Sequence, residues 1–248
     1  MKAFLGVLAV LAGFIALGAS AASKQTGSTI SFGRQGEYHG YFVPGSGGKK
    51  LPGIVMIHEW WGLNSNIKAE ADKYGHAGYN VLAVDLFGKV ATTADEATKL
   101  VQGLDQQAAT AQLLAAADYL RTRRDSNGRV GSLGWCFGGG QSLNLALHDP
   151  KLNAAVIYYG QPVTDPQQLA KIKAPMLGHF GETDQSIPLA RVTAFNQALT
   201  AAGVRHTIYT YPGAGHAFAN PTNTSAYQRD AAVKANKRTE AFLKKYLK

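Results

Sequence analysis

The sequence has few of the residues that mark particular classes of protein, beginning with cysteine. Among 248 residues there is one cysteine, Cys136. An intramolecular disulfide is therefore excluded, and a lone thiol is either buried and inert or present for its reactivity. Taken alone, the composition favours an inert, buried thiol.

Acidic residues are also few. The chain has 16 Asp and Glu against 25 Lys and Arg, which gives a formal net charge of +9. The basic residues are scattered along the chain and lack the aromatic interleaving of a platform that binds single-stranded nucleic acid. We therefore expect solvated basic surfaces and no nucleic-acid partner.

No pair of histidines has a convincing metal spacing. The dipeptide His58-Glu59 opens the zinc motif H-E-x-x-H, but Gly62 occupies the place of the second histidine. Residues 52–57, which precede the dipeptide, form an apolar run typical of a buried strand, whereas the motif requires a helix. The sequence predicts no metal and no organic cofactor.

The first 21 residues have the three-part layout of a secretory signal. Lys2 precedes an uncharged apolar stretch, and the small residues 19–21 form a cleavage site. The alternative is an uncleaved membrane anchor, but glycines interrupt the apolar stretch, which is short for a bilayer span of about 20 residues. We expect a signal peptide over residues 1–21, no stable membrane insertion after its removal, and a periplasmic or secreted protein.

Residues 22–248 have the pattern of one α/β domain. Alternating polar and apolar residues at 28–32 and 37–44 predict an opening antiparallel hairpin. From residue 52, short apolar runs alternate with helical stretches, among them 66–77, 137–148 and 189–202. This alternation predicts a mostly parallel central sheet with helices on both faces, preceded by the hairpin.

The most specific local signal is the pentapeptide G-W-C-F-G at residues 134–138, which lies between a strand pattern and a helix pattern. A G-x-nucleophile-x-G turn holds its central residue on a strained strand-to-helix corner. Cys136 would then lie at a helix N-terminus, where the helix dipole and free N–H groups favour thiolate. Glycine-rich turns also bind phosphate, but a dinucleotide fingerprint would belong to the first βα turn.

A cysteine nucleophile needs a histidine to take its proton and a carboxylate to orient that histidine. On a strand-turn-helix scaffold of this kind the chain order is nucleophile, acid, histidine. Glu182 and Asp184 end an apolar strand pattern, and His216 lies in a glycine-rich segment before the terminal helix. We expect Cys136, one of the two acids and His216 to meet at one edge of the sheet.

These motifs jointly resemble those of the dienelactone hydrolases, a family of the α/β-hydrolase superfamily with a Cys-Asp-His triad. The resemblance runs from about Pro52 to the terminal helix and is carried by the segments HEWWGLN, VDLFGK, GWCFGGG, GETDQSIP and GAGHAFAN. It implies an α/β-hydrolase fold in which Cys136 is the nucleophile, His216 the base and Asp184 the orienting acid. Glu182 is then a loop carboxylate.

The same resemblance assigns a role to Glu59, which ends the strand before the first crossover helix. In the family this acid interacts with the cysteine and keeps the thiol protonated until substrate binds. The alternative is a solvated acid at a strand end. The backbone N–H groups of Trp60 and Phe137 would form the oxyanion hole, directed at the oxygen that gains charge as Cys136 attacks.

The family clamps its substrate's carboxylate with two arginines, and this chain has Lys89 and Asn220 at those places. Lys89 can attract an anion as a point charge, but neither residue offers the forked geometry that selects a planar carboxylate. Trp61, Trp135 and Phe87 are candidates for an aromatic pocket wall, although such residues are core as often as ligand walls. We take all five as candidate substrate-binding residues.

The sequence therefore predicts a monomeric hydrolase that cleaves a small ester, lactone or thioester by acyl transfer to Cys136, with no cofactor. An alternative is an exported ligand-binding protein on the same fold with little or no catalytic activity, which the missing arginine clamp would explain. A peptidase is a third alternative, for which the sequence shows no inserted specificity domain.

Overall fold

The computed structural model describes residues 25–248, so the predicted signal peptide, residues 1–21, lies outside the described residues. The strands are β1 (Ser28–Phe32), β2 (Tyr38–Val43), β3 (Leu51–Ile57), β4 (Asn80–Val84), β5 (Ser126–Trp135), β6 (Ala154–Tyr158), β7 (Met176–Gly181) and β8 (His206–Tyr211). The helices are α1 (Ser65–His76), α2 (Ala94–Gln102), α3 (Gln106–Thr122), α4 (Phe137–His148), α5 (Pro166–Leu169), α6 (Leu189–Ala201) and α7 (Arg229–Leu247). Within this part of the chain, no helix combines the length and apolarity needed to cross a bilayer.

The eight strands form one sheet in the order β1-β2-β4-β3-β5-β6-β7-β8. The strands β1 and β2 pair antiparallel, as do β2 and β4, while every neighbouring pair from β4 to β8 is parallel. The predicted α/β architecture, with an antiparallel hairpin at the N-terminal edge of a mostly parallel sheet, is confirmed. Parallel strands end at a common edge, so the residues that follow them are brought together there.

Both faces of the sheet are buried, because consecutive side chains of a strand point to opposite faces. In β3, Ile54 and Met56 belong to the core that α7 covers, whereas Val55 and Ile57 belong to the core that α3 and α4 cover. All four side chains are fully buried. Burying one such side chain stabilises the fold by about 1.5–3 kcal/mol.

Two helices of the described chain were not predicted, the single turn α5 and the longer α2. The helix α2 begins after Thr93, whose hydroxyl accepts a hydrogen bond from the N–H of Glu96 at 3.2 Å. The carboxylate of Glu96 in turn accepts from the N–H of Thr92 at 2.8 Å. The spacing T-x-x-E at residues 93–96 is a helix-start signal of this kind, and it was available in the sequence.

A buried histidine connects three strands to the terminal helix. His179 of β7 is fully buried, and its ring nitrogens lie 2.8 Å from the hydroxyl of Tyr211 and 3.0 Å from that of Thr239. The hydroxyl of Thr239 also lies 2.7 Å from that of Tyr158. Burial, with a smaller contribution from the charge of Arg238, lowers the pKa of His179 from 6.5 to about 3. The ring is therefore neutral in the folded protein.

This pKa predicts a loss of stability in acid. Below its ordinary pKa of 6.5 the unfolded chain binds a proton at His179, and the folded protein does so only near 3. We expect the unfolding free energy of the wild type to fall by about 3 kcal/mol more than that of His179→Gln between neutral pH and about pH 4. Chemical denaturation at the two pH values measures this difference, with His148→Gln as the control for loss of an exposed histidine. Equal pH dependence in the wild type and His179→Gln would contradict it.

Candidate active site

The turn between β5 and α4 holds Cys136 in a conformation that side chains rarely adopt. Its φ is 55° and its ψ is −119°. A Cβ atom at Gly134 would collide with the backbone of Gly138, and one at Gly138 would collide with the carbonyl oxygens of Ile57 and His58. The two glycines therefore allow the sharp corner that the pentapeptide predicted, and the half-buried cysteine lies at the first turn of α4.

The structure brings Cys136, His216 and Asp184 together. The Nε2 atom of His216 lies 3.1 Å from the Sγ atom of Cys136, and its Nδ1 lies 2.8 Å from Oδ2 of Asp184. The other oxygen of Asp184 accepts hydrogen bonds from the N–H groups of Ser186 and Ile187 at 2.8 and 3.0 Å. These contacts direct Nδ1 of the ring toward the carboxylate and Nε2 toward the sulfur.

The two acids proposed for the histidine have different surroundings. Asp184 is 2% exposed and contacts His216. Glu182 instead accepts a hydrogen bond from the hydroxyl of Thr210 at 2.8 Å. In the described part of the chain, Asp184 is hydrogen-bonded to the imidazole of His216 and Glu182 is not.

The charges of the triad support one another. Burial opposes a charge on His216, but its hydrogen bonds with Asp184 and Cys136 outweigh this and raise its pKa to about 10. Burial likewise opposes ionisation of Asp184, yet the hydrogen bonds from His216 and two backbone N–H groups hold the pKa of this carboxyl below its ordinary value. An imidazolium beside an ionised aspartate is therefore the stable form of this pair.

The backbone N–H groups of Trp60 and Phe137 are available to a ligand. Both residues line the same cleft as Cys136. Within residues 25–248 neither N–H donates to a protein acceptor. The peptide group that carries the Trp60 N–H is held in place by His58, which is fully buried. One ring nitrogen of His58 lies 2.6 Å from the carbonyl oxygen of Glu59, and the other accepts a hydrogen bond from the N–H of Leu86 at 3.2 Å.

Glu59 has a different partner from the one that the resemblance implies. It is 3% exposed, and its Oε2 accepts a hydrogen bond of 2.5 Å from the side-chain amide of Asn220. The described residues show no hydrogen bond between Glu59 and Cys136, because the thiol contacts His216 and the carboxylate is taken by Asn220. Burial raises the pKa of Glu59 to about 7, and the amide of Asn220 and the nearby His216 oppose this shift only in part.

The triad opens into a cleft of about 640 Å³. Of the predicted site residues, Trp60, Trp61, Phe137, Asn220 and Glu59 line it together with Cys136 and His216. Asp184 lies behind His216.

Three predicted substrate-binding residues do not line the cleft. Trp135 is buried in the core, with its ring 5.6 Å from that of Tyr158. Phe87 packs behind the cleft, 4.8 Å from the ring of His58. Lys89 is exposed on the loop after β4. All three lie at or near strand ends in the sequence, but their side chains are outside the lining of the cleft.

The structure adds a residue that the sequence reasoning missed. Tyr159 directly follows β6, has a φ of 37°, and lines the cleft with its ring 5.2 Å from that of His216. Its hydroxyl is buried without a hydrogen-bond partner in the described part of the chain. Its place at the carboxyl end of a parallel strand was the available signal. Several amide side chains also line the cleft without having been predicted: Gln106, Gln141, Asn144, Gln161 and Asn223.

Comparison with known proteins identifies the family of this chain. A model of the dienelactone hydrolase family matches residues 39–247. The chain belongs to this family. It is a hydrolase, and among residues 25–248 no group of three or more His, Cys, Asp or Glu side chains could hold a metal ion.

Several relatives support the assignment. The hydrolase is 33% identical over 232 residues to Protein usf of Aquifex pyrophilus, an alignment that covers 89% of this chain and 99% of that protein. It is 31% identical over 203 residues to the carboxymethylenebutenolidase of Pseudomonas putida, covering 77% and 85% of the two chains. A dienelactone hydrolase-like promiscuous phosphotriesterase from metagenomic libraries has the same α/β-hydrolase fold, with a TM-score of 0.81, 22% identity, and coverage of 90% and 99%.

The raised pKa of Glu59 predicts that the free energy of unfolding decreases as the pH rises. The folded protein keeps the proton of Glu59 up to about pH 7, whereas the unfolded chain releases it near 4.5. The stability that this group contributes therefore falls as pH rises between these two values. We expect the stability of Glu59→Gln relative to the wild type to increase by about 2.5 kcal/mol between pH 5 and pH 8. Chemical denaturation across this range measures it, and a difference that does not change with pH would contradict the prediction.

Proposed function

We propose that the protein cleaves a small ester, lactone or thioester by acyl transfer to Cys136. The observation that carries this proposal is the chain of contacts from Asp184 through His216 to the sulfur, which ends 3.1 Å from Sγ. That distance is within reach for proton transfer. The name of the Pseudomonas putida relative, a carboxymethylenebutenolidase, is consistent with a lactone or ester as substrate.

The first half of the reaction forms a thioester. Transfer of the thiol proton from Sγ to Nε2 of His216 gives the resting pair of thiolate and imidazolium, which the raised pKa of His216 favours. The thiolate then attacks the carbonyl carbon of the substrate. The electron pair of the carbonyl moves onto its oxygen, which Trp60 N–H and Phe137 N–H stabilise. Collapse of this intermediate breaks the bond to the leaving group, which takes the proton from Nε2 and departs.

The second half of the reaction hydrolyses the thioester and regenerates the free enzyme. His216 takes a proton from water, and the resulting hydroxide attacks the thioester carbon. The second oxyanion is held by the same two backbone donors, and its collapse expels the thiolate of Cys136. The proton on Nε2 restores the resting pair as the acid product leaves. One oxyanion-hole donor is worth about 10²- to 10³-fold in rate.

Glu59 acts through charge in this scheme. Its ionised form stabilises a protonated His216, and its pKa of about 7 means that this support changes near neutral pH. Because Glu59 is buried in the wall of the cleft, this interaction is stronger than it would be in water.

Export and a monomeric state complete the proposal. The predicted signal at residues 1–21 supports a location in the periplasm or outside the cell.

Removing the nucleophile tests the mechanism. We expect Cys136→Ala to lower the turnover of p-nitrophenyl acetate by at least about 10³-fold, because the residual rate would come from binding and the oxyanion hole alone. Initial rates of the wild type and the variant measure this loss, and their thermal transitions check that both proteins are folded. Unchanged turnover would refute the assigned nucleophile. A thiol that resists alkylation, with ligand-induced thermal stabilisation, would indicate the ligand-binding alternative.

The two neighbouring acids form a matched pair. We expect Asp184→Asn to reduce kcat by about 10²- to 10⁴-fold, because the orienting carboxylate and the correct tautomer are lost. Glu182→Gln removes a charge two residues away without touching the imidazole, so its kcat should stay within about twofold of the wild type. The reverse pattern in steady-state kinetics would reassign the acid.

A further inference from the structure

The part of the cleft lining that the structure describes offers no arginine or lysine to a carboxylate. Among the described residues that line it, the charged side chains are Glu59 and His216, and no lysine or arginine contributes. Asn220, at one of the two arginine places of the family, is already bonded to Glu59 at 2.5 Å. Lys89, at the other, is exposed and outside the lining.

A carboxylate-bearing substrate would therefore be poorly held. It would lose its hydration without gaining the charge-assisted, two-pronged bonds that an arginine supplies. Above neutral pH it would also meet the ionised Glu59, whose pKa is about 7. The cleft favours an uncharged substrate.

One wall of the cleft is built from fixed side-chain amides. Gln106 of α3 and Gln141 of α4 bond to each other in both directions, at 3.0 and 2.8 Å. Asn144, one helical turn beyond Gln141, donates to the hydroxyl of Thr110 at 2.9 Å. These mutual contacts hold the amides in place before any ligand arrives, which reduces the entropy lost on binding.

This wall keeps unused hydrogen-bonding capacity. A primary amide has two N–H donors and a carbonyl oxygen with two lone pairs, and the paired Gln141 amide donates one of its two N–H groups. Within residues 25–248 the Oδ1 of Asn144 accepts no hydrogen bond. Gln161 and Asn223 add further amides to the lining. Hydroxyl groups, which both donate and accept, match this mixture of donors and acceptors.

The cleft also has an apolar, aromatic side. Trp60 and Trp61 are half-buried, and their rings lie 4.8 Å apart at an interplanar angle of 58°. Large rigid rings offer apolar contact to the C–H face of a ligand ring while polar groups fix its orientation. Aromatic surface combined with uncharged amides suits a ring that has both C–H faces and hydroxyl groups.

Resting on the proposed function, we propose that the enzyme's substrates are uncharged esters that carry several hydroxyl groups, such as acyl esters of a sugar or another polyol. The amide wall binds the hydroxyl groups, the two indoles contact the ring, and Cys136 attacks the ester carbonyl. A site built to hydrogen-bond a hydroxyl discriminates strongly against an analogue that lacks it.

Three matched esters test this inference: an acetylated methyl glucoside, cyclohexyl acetate, and acetoxyacetate. They share the acetyl group and differ in whether the alcohol carries hydroxyls, no polar group, or a carboxylate. We expect kcat/KM for the glucoside ester to exceed that for cyclohexyl acetate by at least about tenfold, and acetoxyacetate to be the poorest of the three. Gln106→Met and Asn144→Leu should each reduce the preference for the glucoside ester over cyclohexyl acetate by about tenfold. Gln107→Met, an exposed neighbour on α3 outside the cleft lining, should leave all three rates unchanged.

Turnover of p-nitrophenyl acetate that depends on Cys136 separates failure of this inference from failure of the mechanism. If that activity is present and cyclohexyl acetate or acetoxyacetate is cleaved as well as the glucoside ester, the polyol proposal is overturned and the cysteine mechanism stands. If no ester is turned over through Cys136, both are overturned. An unchanged preference in Gln106→Met and Asn144→Leu would also overturn the role given to the amide wall.

Discussion

The tight backbone turn between β5 and α4 is the constraint on which the site depends. It brings residue 134 against the backbone of residue 138, and residue 138 against the carbonyl oxygens of Ile57 and His58, so both must be glycine. The same turn holds Cys136 at a φ of 55°. Two other non-glycine residues with positive φ in the described chain are Tyr159 and Ala217, and all three line the cleft. Such conformations cost about 1–3 kcal/mol each and persist only where the surrounding structure determines them. Here the buried strands of the sheet provide that determination.

Two buried carboxylates in the same site have opposite titration behaviour, and the difference lies in the number of donors around each. Asp184 accepts from one imidazole and two backbone N–H groups, which hold its pKa below the ordinary value. Glu59 has one strong donor, Asn220, and burial raises its pKa to about 7. Two acids placed in different surroundings can thus serve different purposes at one pH. The first fixes the histidine, and the second supplies a charge that varies near neutrality.

The architecture and the triad could be predicted from the sequence because both depend on local pattern and chain order. Apolar runs alternating with helical stretches gave the sheet, and the glycine-flanked cysteine gave the position of the turn. The sequence could not tell that Trp135 enters the core or that Phe87 packs on His58, because the direction of a side chain after a strand end depends on local backbone geometry. The amide wall was equally hidden, since Gln106 and Gln141 are 35 residues apart and meet only when α3 packs on α4. The bond between Glu59 and Asn220 required the same tertiary information across 161 residues.

That last bond has a mechanical consequence for the base. His216 and Asn220 belong to one segment. His216 contacts Asp184, which follows β7, and Asn220 donates a hydrogen bond to Glu59, which follows β3. The strands β5 and β6 lie between β3 and β7, so the two strands that precede these acids are about 14 Å apart at the usual strand spacing. The separation of imidazole and sulfur is consequently governed by the rigid spacing of the sheet, and an irregular loop acquires the positional accuracy of the strands that support it.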